Sequence, residues 1–270
     1  MKDGKQTKTG FGSSSTTVIA TVASLLLSFG VCSYALFLII ENRPALSYSD
    51  RKLICELSLQ AHHQAQGRIG SGYDIITGVF GSCVYQRCLA MPLHCRFSPL
   101  HFPDSLTVLF SYGGSASSST PHLVKRIREW REQSSSDAKR LWEDYRQGNE
   151  DLIAQLPREI DERRLKEALK RQLEIVHSIG VVSQTNLVPE NVYKLMKETA
   201  KINWVMGCMV AGAGGADSFY CVCSAERCKT EEIEAVWEKW DYHVSEVRIS
   251  QQGMSALHHS SVSYKQNTRR

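Results

Sequence analysis

Lys8-Thr9-Gly10-Phe11-Gly12-Ser13-Ser14-Ser15-Thr16-Thr17 runs without interruption into an apolar segment, and its reading decides the fold. Two glycines in three residues permit a tight loop and let backbone amides approach a ligand closely. The hydroxyl run then falls where a helix begins, with side-chain oxygens free for capping or for a metal-bound phosphate. A helix start gathers unpaired N–H groups and the positive end of the peptide dipoles, so an anion is stabilised there. Taken alone, the stretch reads equally as a Gly/Ser loop that caps a buried helix. The remainder of the chain must decide.

With 270 residues, 42% of them hydrophobic and 22% charged, the chain can bury a core as one large domain or two small ones. A net charge of +4, without a basic block, gives no argument for a nucleic-acid partner. Nine cysteines are scattered with no paired zinc spacing, and Cys221 and Cys223 point to one face of a strand. They read as reduced packing residues of an intracellular protein, in the cytoplasm or an organelle such as a peroxisome. Residues 17–40 carry no charge, and their length fits a membrane span. Thr17, Thr21, Ser24, Ser28 and Ser33 break the apolar run, and Gly30 divides it as two consecutive buried helices require. A buried core is expected; a membrane-anchored interaction protein is the alternative. No secretory leader is expected, because a polar stretch precedes the segment.

Further on, Ser49 or Asp50 can cap a helix over 51–63 whose apolar positions 53, 54, 57 and 61 form one face. It ends at Gln66-Gly67, before Arg68-Ile69-Gly70-Ser71-Gly72-Tyr73-Asp74. Three glycines there demand a sharply bent loop, and Asp74 opens the next apolar helix over 75–80. The carboxylate reads as a helix cap or as a group facing a bound phosphate. Strands are expected at 84–88 and 105–110, joined by a Pro-containing loop. The run from Gly113 through Ser118, Ser119 and Thr120 to Pro121 is a linker or a second anion loop at a helix start. Residues 122–176 are helical and highly charged, with Glu162 and Lys166 as an i,i+4 pair on a solvated face. A helix from Pro189, a strand at 206–210, a third glycine loop at 212–217, a strand at 218–223, a helix from Thr230 to Trp240 and a strand at 242–249 complete the order. Strands with hairpin-like neighbours make the class α+β, and residues from Gln251 read as a polar tail.

Three separated glycine loops in this order resemble the GHMP small-molecule kinases, and within them the eukaryotic phosphomevalonate kinases. The motifs are Lys8-Thr-Gly-Phe-Gly-Ser-Ser, then Ala61-His62-His63-Gln64-Ala65-Gln66-Gly67 through Gly70-Ser71-Gly72-Tyr73-Asp74, and Gly212-Ala213-Gly214-Gly215. The middle segment is the specific one, far longer than a chance match. The resemblance implies a GHMP kinase fold with the rest of an ATP-binding domain over 1–110, a C-terminal domain over 111–250 and a tail over 251–270.

It also implies roles. Lys8, Gly10, Gly12, Ser13, Ser14 and Ser15 would hold ATP, with Ser14 meeting Mg2+. Asp74 would be the catalytic carboxylate. Ser71, Gly72, Ser118, Ser119, Gly212, Ala213, Gly214 and Gly215 would hold the substrate. The implied reaction is ATP plus 5-phosphomevalonate giving 5-diphosphomevalonate and ADP, with a small molecule as partner, no nucleic acid and no membrane. The glutamate that binds magnesium in related mevalonate kinases falls here on His63, and the family's first motif, P-G-K-x-x-x-x-G-E, is absent. The resemblance therefore implies an N-terminally incomplete kinase.

Overall fold

A computed structural model describes residues 12–40, 43–67, 70–87, 95–113, 120–133, 136–157, 159–212, 214–216, 218–247, 249 and 253–254. They form two compact units, one from the described residues of Gly12–Leu100 with Gly253 and Met254, the other from those of His101–Ile249.

The first unit opens with helix α1, Ser13–Ser28, whose N-cap Gly12 takes the left-handed conformation at φ 64°. Phe29 and Gly30 end it, their N–H groups donating to the carbonyls of Leu25 and Leu27. Gly30 lies at φ 67°. The second half of the uncharged segment is therefore not a helix. It is strand β1, Tyr34–Ile40, paired antiparallel with β2, Arg43–Leu46. The left-handed turn at Gly30 breaks the helical hydrogen-bond ladder, and the chain beyond it pairs across a hairpin instead. No helix among the described residues is long and apolar enough to cross a membrane. Nor is α1 buried all round, since Leu25 is 52% exposed.

Helix α2 spans Tyr48–Gln66, with Ser47, not Ser49 or Asp50, as its cap; the Ser47 hydroxyl accepts from the Asp50 amide at 3.1 Å. Its buried positions are Ile54, Cys55, Ser58, Leu59, His62 and His63. Of the apolar positions 53, 54, 57 and 61, Ile54 is buried and Leu53 packs against the core, while Leu57 and Ala61 face outward, because small and polar side chains share the inward face. Gly67 closes α2 in the left-handed region, and α3 follows as Tyr73–Phe80. Ile19, Ala23, Ile54, Leu59, Ile75, Ile76 and Val79 from α1, α2 and α3 form the core of this unit. Strands β3, Cys83–Arg87, and β4, Cys95–Pro99, pair antiparallel beside it. β4 falls where only a loop is expected: Phe97 is the single large apolar residue in Cys-Arg-Phe-Ser-Pro, too little to show alternation. Its ring lies 4.6 Å from that of Phe80. Of the expected polar tail, Gly253 and Met254 are described, and the Met254 amide donates to the Val79 carbonyl at 3.2 Å.

In the second unit, β5 (Leu106–Gly113), β6 (Val205–Val210), β7 (Phe219–Ser224) and β8 (Tyr242–Glu246) form one antiparallel sheet in the order β6-β7-β5-β8. The two-residue period of β7 sends Phe219, Cys221 and Cys223 into one cluster and Val222 with Tyr220 into another. The first cluster takes Leu173 and Val176 of helix α6, Glu162–Val182, and Val192, Leu195 and Met196 of α7, Glu190–Thr199. It also takes Ile233 and Trp237 of α8, Thr230–Trp237. The second cluster takes Leu165 and Leu169 of α6.

The charged stretch 122–176 divides into α4, Thr120–Glu132, α5, Ser136–Gln155, and the start of α6. Glu162 does not pair with Lys166. It meets Arg227, while Lys166 donates to the Asn203 carbonyl, both at the surface, because α6 packs against β6 and brings these distant groups within reach. Lys229, not Thr230, is the residue before α8, which gives way to a 3-10 turn over Glu238–Trp240. As the strand spacing implies, Cys221 and Cys223 share a face, their sulfurs 3.5 Å apart. Hydrogen bonds between neighbouring thiols and burial hold both well above the ordinary thiol range. Burial likewise pushes Cys228 up to about 11. Protonated thiols of this kind are poor nucleophiles and serve as packing.

Two substitutions test this core. Ile54 is fully buried, so Ile54→Ala is expected to cost about 2–5 kcal/mol in urea unfolding, whereas Leu25→Ala should stay within about 0.5 kcal/mol. A Cβ on Gly207 would lie 2.6 Å from Leu169 Cβ. Gly207→Val is therefore expected to force β6 from α6 and to cost about 1–3 kcal/mol in the same experiment.

Candidate active site

Three helix ends meet in the first unit. α1 begins at Gly12 with no side chain capping it and no acidic residue in its first turn. Its leading amides and dipole are thus left for an outside anion. Ser15 folds its hydroxyl back onto the Gly12 carbonyl at 2.6 Å, and Thr16 does the same at 3.2 Å. Ser14 does not. Its side chain is exposed, and its Oγ lies 3.4 Å from Nε2 of His62 in the last turn of α2.

α3 supplies the acid. Gly72 caps it at φ 80°, and a Cβ there would sit 2.7 Å from a Leu59 methyl, so the loop closes on α2 only with glycine. The Tyr85 hydroxyl of β3 donates to the Ser71 carbonyl and pins the loop from the other side. Asp74 follows in the first turn, half-buried, its Oδ1 accepting from the Ile75 amide at 3.1 Å. A Cβ on Gly12 would lie 3.8 Å from Asp74 Cβ. The start of α1 and the acid of α3 are therefore neighbours, although Asp74 stands 62 positions later in the chain. Burial, and then the Asp74 charge, push the neighbouring Tyr73 phenol up.

His63, where a magnesium-binding glutamate falls in related kinases, is buried, and its ring is 3.9 Å from where a Cβ on Gly70 would stand. His62 and Gln66 stand inside the middle motif, whose resemblance assigns them no role. The signal lay in their i,i+4 spacing, which sets both on one face of α2; Gln66 Nε2 is 2.9 Å from His62 Nε2.

The third glycine loop belongs to the second unit. Gly212, Gly214 and Gly215 have φ 59°, 81° and 111°. The Gly215 amide donates to the Leu187 carbonyl at 2.8 Å, and Gly214 packs against that same carbonyl so closely that any side chain would collide with it. The Tyr242 hydroxyl holds Ala216 by its carbonyl at 2.7 Å. Lys8, Gly10, Ser118, Ser119 and Ala213 lie outside the described residues, as does the side chain of Ser13.

No protein-family model matches the chain. The chain is 29% identical to phosphomevalonate kinase of Gibberella zeae over 86% of its length and 56% of that protein. It is 25% identical to the Aspergillus fumigatus enzyme of the same name over 87% of its length and 54% of that protein. The peroxisomal phosphomevalonate kinase of Arabidopsis thaliana matches at 23% over 80% of this chain and 54% of its own. The chain thus spans about half the length of the curated relatives it matches.

Among solved structures, Lin0012 of Listeria innocua superposes with a TM-score of 0.68 at 19% identity, covering 92% of this chain and 70% of that one. Mevalonate kinase of L. major gives 0.62 at 15%, covering 87% and 66%. Phosphomevalonate kinase of Streptococcus pneumoniae gives 0.59 at 15%, covering 87% and 69%. The chain has an α+β fold shared with these kinase structures and is similar in sequence, over most of its length, to the phosphomevalonate kinases named above.

Proposed function

We propose that this sequence belongs to an ATP-dependent kinase that phosphorylates 5-phosphomevalonate to 5-diphosphomevalonate. The observation that carries the reading is the approach of Gly12, at the uncapped start of α1, to Asp74 in the first turn of α3. Phosphoryl transfer asks little covalent chemistry of a protein; it needs positioning and neutralisation of charge. Amides at a helix start supply the second, and an acid fixed by a glycine loop supplies the first.

In this reading Lys8, Gly10, Gly12, Ser13, Ser14 and Ser15 hold ATP. Ser71 and Gly72 of the first unit hold the acceptor. The relatives named phosphomevalonate kinase support that acceptor over an alcohol. The donor offered by Ser14 is a hard oxygen, which suits Mg2+ rather than a soft metal. Bound with the nucleotide, the ion supplies charge neutralisation at the phosphate oxygens.

The acceptor's own chemistry fixes the role of Asp74. A phosphate monoester loses its second proton near a pKa of about 6, so the attacking oxygen is already largely ionised at neutral pH. Asp74 therefore orients the acceptor rather than removing a proton. Its bond to the Ile75 amide holds the carboxylate in one rotamer for that task.

Two variants test the reading by calorimetry with MgATP and by product analysis with 5-phosphomevalonate. Asp74→Asn keeps size and hydrogen-bonding reach while deleting charge. It is expected to lower diphosphomevalonate formation about 10²-fold or more and to leave MgATP affinity nearly unchanged. Undiminished turnover would reduce Asp74 to a helix-start residue. Ser14→Ala is expected to weaken MgATP while leaving metal-free ATP unaffected; equal loss of both would remove the serine from the metal's neighbourhood.

A further inference from the structure

Ser14 has a neighbour for which neither the motif nor the reaction supplies a use. His62 is only 6% exposed, on the inner face of α2, and its Nε2 faces two groups, Gln66 Nε2 at 2.9 Å and Ser14 Oγ at 3.4 Å. An amide nitrogen can only donate. With the Gln66 amide nitrogen turned to the ring, Nε2 must accept, which places the imidazole N–H on Nδ1. We propose that His62, fixed in this tautomer by Gln66, is a positioning residue that orients the Ser14 hydroxyl for a cation-bound phosphate; the assignment rests on the kinase reading above.

The chemistry follows from the direction of one proton. A hydroxyl has a single hydrogen and two lone pairs. Nε2 has one lone pair, directed to the Gln66 amide at 2.9 Å and shared with the Ser14 hydroxyl at 3.4 Å, so the Ser14 hydrogen turns toward the ring and its own lone pairs are left for a partner on the exposed side. Ser15 and Thr16 commit their hydroxyls to the Gly12 carbonyl instead. Ser14, unlike Ser15 and Thr16, meets a side chain of another element. The bond crosses from α1 to α2, so it also fixes the start of α1 against the end of α2. If Nε2 carried the proton, the ring would donate to Ser14, consume a lone pair and repel the Gln66 amide.

The first test needs no nucleotide. Long-range 1H–15N correlation of the ligand-free chain reads the imidazole tautomer directly. A proton on Nδ1, an unprotonated Nε2, and a shift of the Nε2 resonance in Ser14→Ala are expected. A protonated Nε2, or an Nε2 signal indifferent to both Ser14→Ala and Gln66→Leu, overturns the proposal whatever the chain binds. The second test is calorimetric. His62→Leu is expected to weaken MgATP about two- to tenfold, the scale of one neutral hydrogen bond, with metal-free ATP unchanged. His62→Gln, whose carbonyl can accept from Ser14, should restore most of the loss. In the Ser14→Ala background His62→Leu should have no further effect. An undiminished effect there, in a variant whose melting temperature matches the parent, overturns the positioning role. A parent chain that binds no MgATP contradicts the kinase reading, and the nitrogen spectrum then still judges the hydrogen bond on its own.

Discussion

Everything at the site depends on how closely α1 approaches α3. Gly78 of α3 faces Ile19 of α1, where a Cβ would lie 2.6 Å from the Ile19 terminal methyl. The missing side chain lets Ile19 descend onto Ile75, Ile76 and Val79, and the burial of those residues holds the pair. Each fully buried aliphatic side chain contributes about 1.5–3 kcal/mol, so the crossing has a deep energetic base. Once it is set, Gly12 and Asp74 must be neighbours. The polar geometry of the site is a consequence of apolar packing one to two turns away.

The two glycine loops of the first unit serve that packing as much as any ligand. Gly72 at φ 80° turns the chain beneath Leu59, and only then can α3 start beside α1. A left-handed glycine also leaves a helix start without a side-chain cap, which keeps its amides unspent. Capping by serine, as Ser47 does for α2, would satisfy those donors internally. α1 and α3 both forgo an N-cap side chain, although in α3 the Ile75 amide is taken by Asp74 Oδ1. That choice costs helix stability, and an anion that binds there returns it.

What was legible in the sequence follows the same division. Glycine loops, hydroxyl runs and a following acid are local signals, and Gly12, Ser14, Gly72 and Asp74 are found where their spacing predicts. The alternation in β7 and the i,i+4 stripes of α6 are equally local, and the α+β class with them. Signals that depend on partners were not legible. Residues 34–40 look like helix by apolarity, yet pair as a strand because Gly30 turns the chain and β2 is available. Glu162 meets Arg227 through the fold rather than Lys166 through the helix. Ser58 and His62 on the buried face of α2 defeat a purely apolar stripe. His62 itself stood inside the most specific motif, but its partner Ser14 is 48 positions away. The charged helices gave no chemistry, and the exposed pairs of Arg146 with Glu143 and Glu150 are screened surface contacts of the kind that contribute little.

The central claim is that the starts of α1 and α3 form one phosphate-binding place. Backbone-amide chemical shifts of the chain during titration with MgATP test it most directly. The account predicts that the largest changes fall together on residues 12–16 and 70–75, with one common dissociation constant. Changes confined to other residues, or unequal affinities at the two helix starts, would contradict it.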